Sequence, residues 1–243
     1  MKKSIFEFKN AANDIGDVYI YGDIVSYQWD ESDTTAQSFR DGLQGLGEVK
    51  TLNVYINSPG GSVFQGQAIH TMLQRHKAHV NVHVDGVAAS IASVIAMAAD
   101  TIYMPKNAMM MIHNPWTYAS GNAKDLRKVA DDLDQIAQSI IEAYLTKTGE
   151  KMSREQLVDL LDAETWLTAQ ECYDYGLCDQ IVESVEIAAS INTEQLSRYK
   201  NVPKTLISAM KQPQNSPMSQ LQREIMIAES KENIEKINRV LGV

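Results

Sequence analysis

Asp85-Gly86-Val87-Ala88-Ala89-Ser90-Ile91-Ala92-Ser93 sets a serine among very small residues, directly after the alternating apolar run Val80-Asn81-Val82-His83-Val84. Alternation predicts a strand, and the small-residue stretch from Ser90 predicts a helix over residues 90–99. A serine on a strand-to-helix turn can present its hydroxyl at the start of that helix. A second apolar run ends in Met111-Ile112-His113-Asn114-Pro115, which puts a histidine where the chain must turn. An imidazole beside a serine hydroxyl can act as its general base. Upstream, Ile56-Asn57-Ser58-Pro59-Gly60-Gly61-Ser62 offers permissive backbone whose N–H groups could bind a developing oxyanion.

The surrounding pattern alternates strands with helices. Strands are predicted at 18–25, 52–57, 80–85, 101–104 and 108–112, with helices at 33–46, 63–75 and 90–99. Alternation of this kind indicates an α/β layered domain with crossover connections. Between residues 122 and 148 the pattern changes. Leu126, Val129, Leu133, Ile136, Ile140 and Tyr144 recur at helical spacing with no Gly or Pro between. A helix that long, about 40 Å at 1.5 Å per residue, would project from a small α/β body. It is read equally well as a surface helix or as an intersubunit handle. Helices at 153–161 and 168–175 follow, the second closed by Gly176. Pro203, Pro213 and Pro217 are three of the six prolines and mark a linker, after which 219–241 has an amphipathic helical pattern. The expected organisation is an N-terminal segment at 1–15, one domain at 16–188, and a linker with a helical tail at 189–243.

Composition narrows the function. The chain has 243 residues, 44% of them hydrophobic, and a net charge of −9. That acidity argues against nucleic-acid binding, which needs clustered Lys and Arg to neutralise phosphate. Two cysteines, Cys172 and Cys178, make neither a four-ligand zinc site nor a disulfide framework. No run reaches the roughly 18 apolar residues of a membrane span. The N-terminus meets charge where a signal peptide would have its apolar core. A cytoplasmic protein without metal, cofactor, nucleic-acid or membrane partner is expected.

Five histidines allow elimination. His70, His76 and His79 sit in polar company and read as surface residues; His83 reads as a strand residue. His113 stands apart. Ser90 could be merely a helix N-cap, and G-x-x-x-S is not the G-x-S-x-G elbow of another hydrolase class. The Pro-Gly-Gly turn is generic by itself, but the three signals in this order point to a serine hydrolase.

With Asn57-Ser58-Pro59-Gly60-Gly61, Gly86-Val87-Ala88-Ala89-Ser90, Met111-Ile112-His113-Asn114-Pro115, Trp166-Leu167-Thr168-Ala169-Gln170-Glu171 and Tyr175-Gly176-Leu177-Cys178-Asp179 in succession, residues 16–186 resemble the Clp protease proteolytic subunit (ClpP) family of serine peptidases. Trp29-Asp30-Glu31 and His113-Asn114-Pro115-Trp116 resemble its phage and prophage branch of capsid (prohead) maturation proteases. The resemblance implies a crotonase-like α/β fold of repeated β-β-α units with a handle helix at about 122–148. It implies Ser90 as nucleophile, His113 as general base, and the N–H groups of Gly61 and Ile91 as oxyanion donors. The family places an aspartate two residues before an aromatic; Glu164 stands there in this chain, with Asp162 as competitor. A glutamate can orient a histidine as an aspartate does.

The resemblance further implies stacked heptameric rings and protein substrates, here capsid or scaffold proteins. An AAA+ ATPase partner is the alternative, although residues 1–10 do not match the axial-loop segment of the housekeeping subunit. Two other readings share the fold: a non-hydrolytic crotonase-like acyl-CoA binder, and an idle capsid or scaffold protein. The first leaves Ser90 and His113 unexplained together; the second requires Glu164 to be out of reach of His113.

Overall fold

The computed structural model describes residues 8–11, 14–27, 33–184, 193–204 and 206–207. The helix expected at 219–241 and the Trp29-Asp30-Glu31 motif lie outside the described residues.

The fold is α/β with a mainly parallel sheet, as the alternation predicts. β1 (Phe8–Ala11) pairs antiparallel with β2 (Ile15–Ile24), and β2, β3 (Thr51–Gly61), β4 (His79–Ala89), β5 (Thr101–Pro105) and β8 (Gln180–Val182) run parallel in that order. Helices α1 (Ala36–Leu46), α2 (Val63–Gln74) and α3 (Ile91–Ala96) form the crossovers. Alternate residues of the central strands, among them Val18, Ile20, Val54, Ile56, Val82 and Val84, are fully buried with Phe39, Ile69 and Ile95 of those helices. The opposite face carries Tyr19, Tyr55, His83 and Tyr103, whose rings stack across four strands at 4.7, 4.9 and 4.8 Å between centroids. His83 is thus a half-buried strand residue in an aromatic ladder, and burial lowers its pKa.

The sheet forks at β4, and the fork positions the site. The first half of β4 pairs with β5 at Asn81–His83, while Val87–Ala89 pairs with β6 (Met109–Ile112). β6 in turn pairs antiparallel with β7 (Thr165–Thr168), matching Ile112 with Thr165. Ser90, His113 and Glu164 each immediately follow or precede one of these three strand ends, so the fork gathers them at one edge. α5 (Arg154–Asp162) and α6 (Ala169–Tyr175) flank β7, and Gly176 ends α6 in the left-handed region at φ 77°.

α4 (Ala123–Thr148) is 26 residues long and starts in an Asn122 capping box. Its second half buries Ala137, Ile140, Ile141 and Tyr144, whereas Leu126 is 45% exposed and Val129, Leu133 and Ile136 are half-buried. The apolar stripe therefore serves two purposes: the C-terminal turns are core, and the N-terminal turns stand clear of it. Cys172 and Cys178 are buried free thiols; burial pushes Cys172 well up and Cys178 to about 12, so both stay protonated.

Residues 1–204 form one compact unit and 205–243 a second. The described residues of 193–204, including the short α7 (Thr193–Leu196), therefore belong with the body. The sequence assigns these residues to the linker.

Candidate active site

Ser90 occupies the turn between β4 and α3 with φ 55° and ψ −128°. A non-glycine residue in this region costs on the order of 1–3 kcal/mol and persists only where its surroundings over-determine it. The surroundings here are specific. Ser90 N–H donates to the Met111 carbonyl at 2.8 Å, tying the turn to β6. Ser93 Oγ donates to the Ser90 carbonyl at 2.5 Å and lies 2.6 Å from the Tyr144 hydroxyl, which α4 supplies from the core. The Ser90 side chain makes no capping hydrogen bond to its own helix. Its hydroxyl instead lies 2.7 Å from His113 Nε2, at the end of β6.

The glycine loop packs on this turn. Gly60 has φ 90°, and a β-carbon there would sit 2.6 Å from the Ala89 carbonyl oxygen and 2.8 Å from Ser90 Cβ. At Gly61, with φ 145°, it would sit 2.0 Å from the Ile24 carbonyl oxygen. Only glycine meets both the dihedral and the approach. Ser58 Oγ braces the loop by donating to the Gly22 carbonyl at 2.6 Å and accepting from Gly60 N–H at 3.1 Å. Asn57 Oδ1 accepts from Val87 N–H at 3.2 Å, joining β3 to the strand that leads to Ser90. Gly61, Ser90 and His113 line a common cavity of about 200 Å³, and Ile91 follows Ser90 at the first position of α3.

The electrostatics favour an imidazole that starts neutral. His113 is half-buried, and desolvation lowers its pKa, while the charge of Glu164 acts in the opposite direction. A neutral imidazole can accept the Ser90 proton at neutral pH. Among the described residues, Glu164 is the carboxylate whose charge raises the His113 pKa, yet no hydrogen bond joins His113 to Glu164 or Asp162 there. Asp162 Oδ1 accepts from Asn114 Nδ2 at 2.6 Å. Glu164, itself at φ 51° after α5, accepts through Oε1 from the backbone N–H groups of Lys200 and Asn201. The structure thus brings Ser90 and His113 into contact and leaves the expected third group near them but engaged elsewhere.

The residues engaging it were not legible as site residues. Arg198 and Tyr199 line the same cavity as Ser90 and His113. Tyr199 is 6% exposed, and its ring meets His113 edge-on at 5.4 Å and Trp166 at 6.1 Å. Its hydroxyl donates to the carbonyl of Pro59 in the glycine loop. A lone tyrosine in a polar stretch beyond the resemblance gives no signal of this in the sequence.

Among the described residues there is no cluster of His, Cys, Asp or Glu suited to a metal ion, and no helix long and apolar enough to cross a membrane. A hydroxyl, a neutral imidazole and a glycine-lined cavity can carry out acyl transfer with none of these. A family model described as Clp protease matches residues 10–185, a span that includes the glycine loop, the Ser90 turn, His113 and both carboxylates; the chain belongs to the Clp protease family.

Proposed function

We propose that the protein is a serine endopeptidase in which Ser90 attacks a peptide carbonyl while His113 removes its proton. The tetrahedral oxyanion is held by the N–H groups of Gly61 and Ile91, and His113 returns the proton to the leaving amine. Water then releases the acyl group from Ser90, with His113 again as base. Glu164 orients and stabilises the imidazolium when its carboxylate is turned toward His113. The carrying observation is the 2.7 Å contact between Ser90 Oγ and His113 Nε2 on a serine held at positive φ. A non-hydrolytic acyl-CoA binder would need neither feature.

Within this family, we read the chain as a capsid maturation protease of the phage branch, working as stacked heptameric rings on capsid or scaffold proteins in the host cytoplasm. The support is Trp29-Asp30-Glu31 and His113-Asn114-Pro115-Trp116, together with the chain beyond the family match. The test is Ser90→Ala. Peptidase activity and labelling by a fluorophosphonate probe should both vanish while the melting temperature stays near that of the wild type. Full activity in that variant would remove the proposal.

A further inference from the structure

Residues 195–201 run beside the Ser90–His113 pair, with Arg198 and Tyr199 in the wall of its cavity. Three separate attachments hold them there. Arg198 makes a 2.5 Å ion pair with Asp23 at the end of β2, and Gln195 Nε2 donates to the other Asp23 oxygen at 2.9 Å. Both charged side chains are only about a quarter exposed, at 29% and 26%. Tyr199 stands in the cavity wall between His113 and the glycine loop, where its hydroxyl bonds to the Pro59 carbonyl. Lys200 and Asn201 then present two backbone N–H groups to Glu164, and the Asn201 side chain donates to the Ala163 carbonyl at 3.0 Å.

These contacts oppose turnover as proposed above. A peptide carbonyl must approach Ser90 Oγ through the cavity that Arg198 and Tyr199 wall, so the segment narrows that approach. Glu164 Oε1 is held by these two backbone N–H groups, and the carboxylate so anchored makes no hydrogen bond to the His113 ring among the described residues. The nucleophile and base are left assembled, while the entry is narrowed and the orienting carboxylate is anchored away from the base.

We propose that residues 195–201 form an inhibitory strap, in which Arg198 and Tyr199 narrow the cavity in cis and Lys200 and Asn201 withhold Glu164 from His113. Activity then requires release of the strap, and Arg198–Asp23 is the anchor that sets how often it opens. A site that is competent for only a fraction of the time reacts at a rate reduced by that fraction. The inference rests on the serine-peptidase reading.

The experiment compares full-length wild type with Asp23→Asn and Arg198→Ala, using Ser90→Ala as blank. The readouts are the second-order rate of fluorophosphonate labelling and hydrolysis of a short peptide ester. Neither substitution touches the nucleophile, base or oxyanion donors. Loss of a partly exposed ion pair should raise both rates about three- to tenfold. Tyr199→Ala should act in the same direction and more strongly, with the melting temperature followed because its ring is buried. Equal or slower labelling in folded Asp23→Asn and Arg198→Ala, with wild type labelled, would overturn the strap and make the segment a wall of the site. No labelling of any chain would overturn the peptidase reading and the strap with it.

Discussion

At the scale of single residues, the chemistry turns on which charge faces His113. Burial lowers the imidazole pKa and Glu164 raises it, so the net value lies below the ordinary value of about 6.5. The base must be neutral to accept the serine proton. Activity is therefore present above this pKa and lost as pH falls through it, with the acid limb of kcat/KM below about 6.5. Replacing Glu164 by Gln removes the raising influence, so the limb should move to still lower pH while turnover falls. The parallel Asp162→Asn variant, whose carboxylate is bonded to Asn114, should leave the limb in place and reduce turnover less. The reverse order in a pH series would transfer the orienting role to Asp162. Ser90 and His113 were legible because each stands at the end of an apolar run. The state of Glu164 was not, because its partners are backbone N–H groups 36 and 37 residues away, and backbone leaves no residue-type signature.

At the scale of elements, periodicity carried most of the fold. The alternating strand at 80–85 and the long helical stripe at 122–148 both appear, with the strand extended to Ala89 and the helix entered at Ala123 behind the Asn122 cap. Strand ends were less legible. β3 and β4 continue through Pro-Gly-Gly and through Gly86 because their partners keep pairing there, a long-range effect that local composition opposes. The forking of the sheet was invisible for the same reason. In α4, the stripe divides at about Ile136 into a buried half and a half that the body leaves uncovered. An uncovered apolar stripe on a projecting helix fits an intersubunit contact. Under the proposed stacking of rings, charges introduced at Leu133 and Ile136, as in Leu133→Asp with Ile136→Lys, should split the particle into single rings or smaller species, with the melting temperature followed because Ile136 also packs against the core. Sedimentation showing an unchanged particle would end the handle assignment.

At the scale of the whole chain, the question is what the part beyond the protease body does. The family match ends at residue 185, but the compact unit extends to Lys204 because α7, Arg198 and Tyr199 pack back onto the body. The compact unit thus ends at Lys204, and the sequence beyond it combines Pro213 and Pro217 with a single amphipathic pattern at 219–241. A helix formed on that pattern would draw most of its stability from packing of its apolar face, so a partner surface is the natural source of its stability. In a maturation protease that partner would be a capsid or scaffold protein, and the tail would concentrate the enzyme inside an assembling shell. A chain ending at Lys204 retains the strap and every residue of the candidate site. It should therefore melt within a few degrees of the full chain and hydrolyse small peptides at the same rate, while no longer co-sedimenting with capsid precursors. Loss of fold on truncation would make residues after Lys204 part of the body. Retained co-sedimentation would place the docking surface on the body itself.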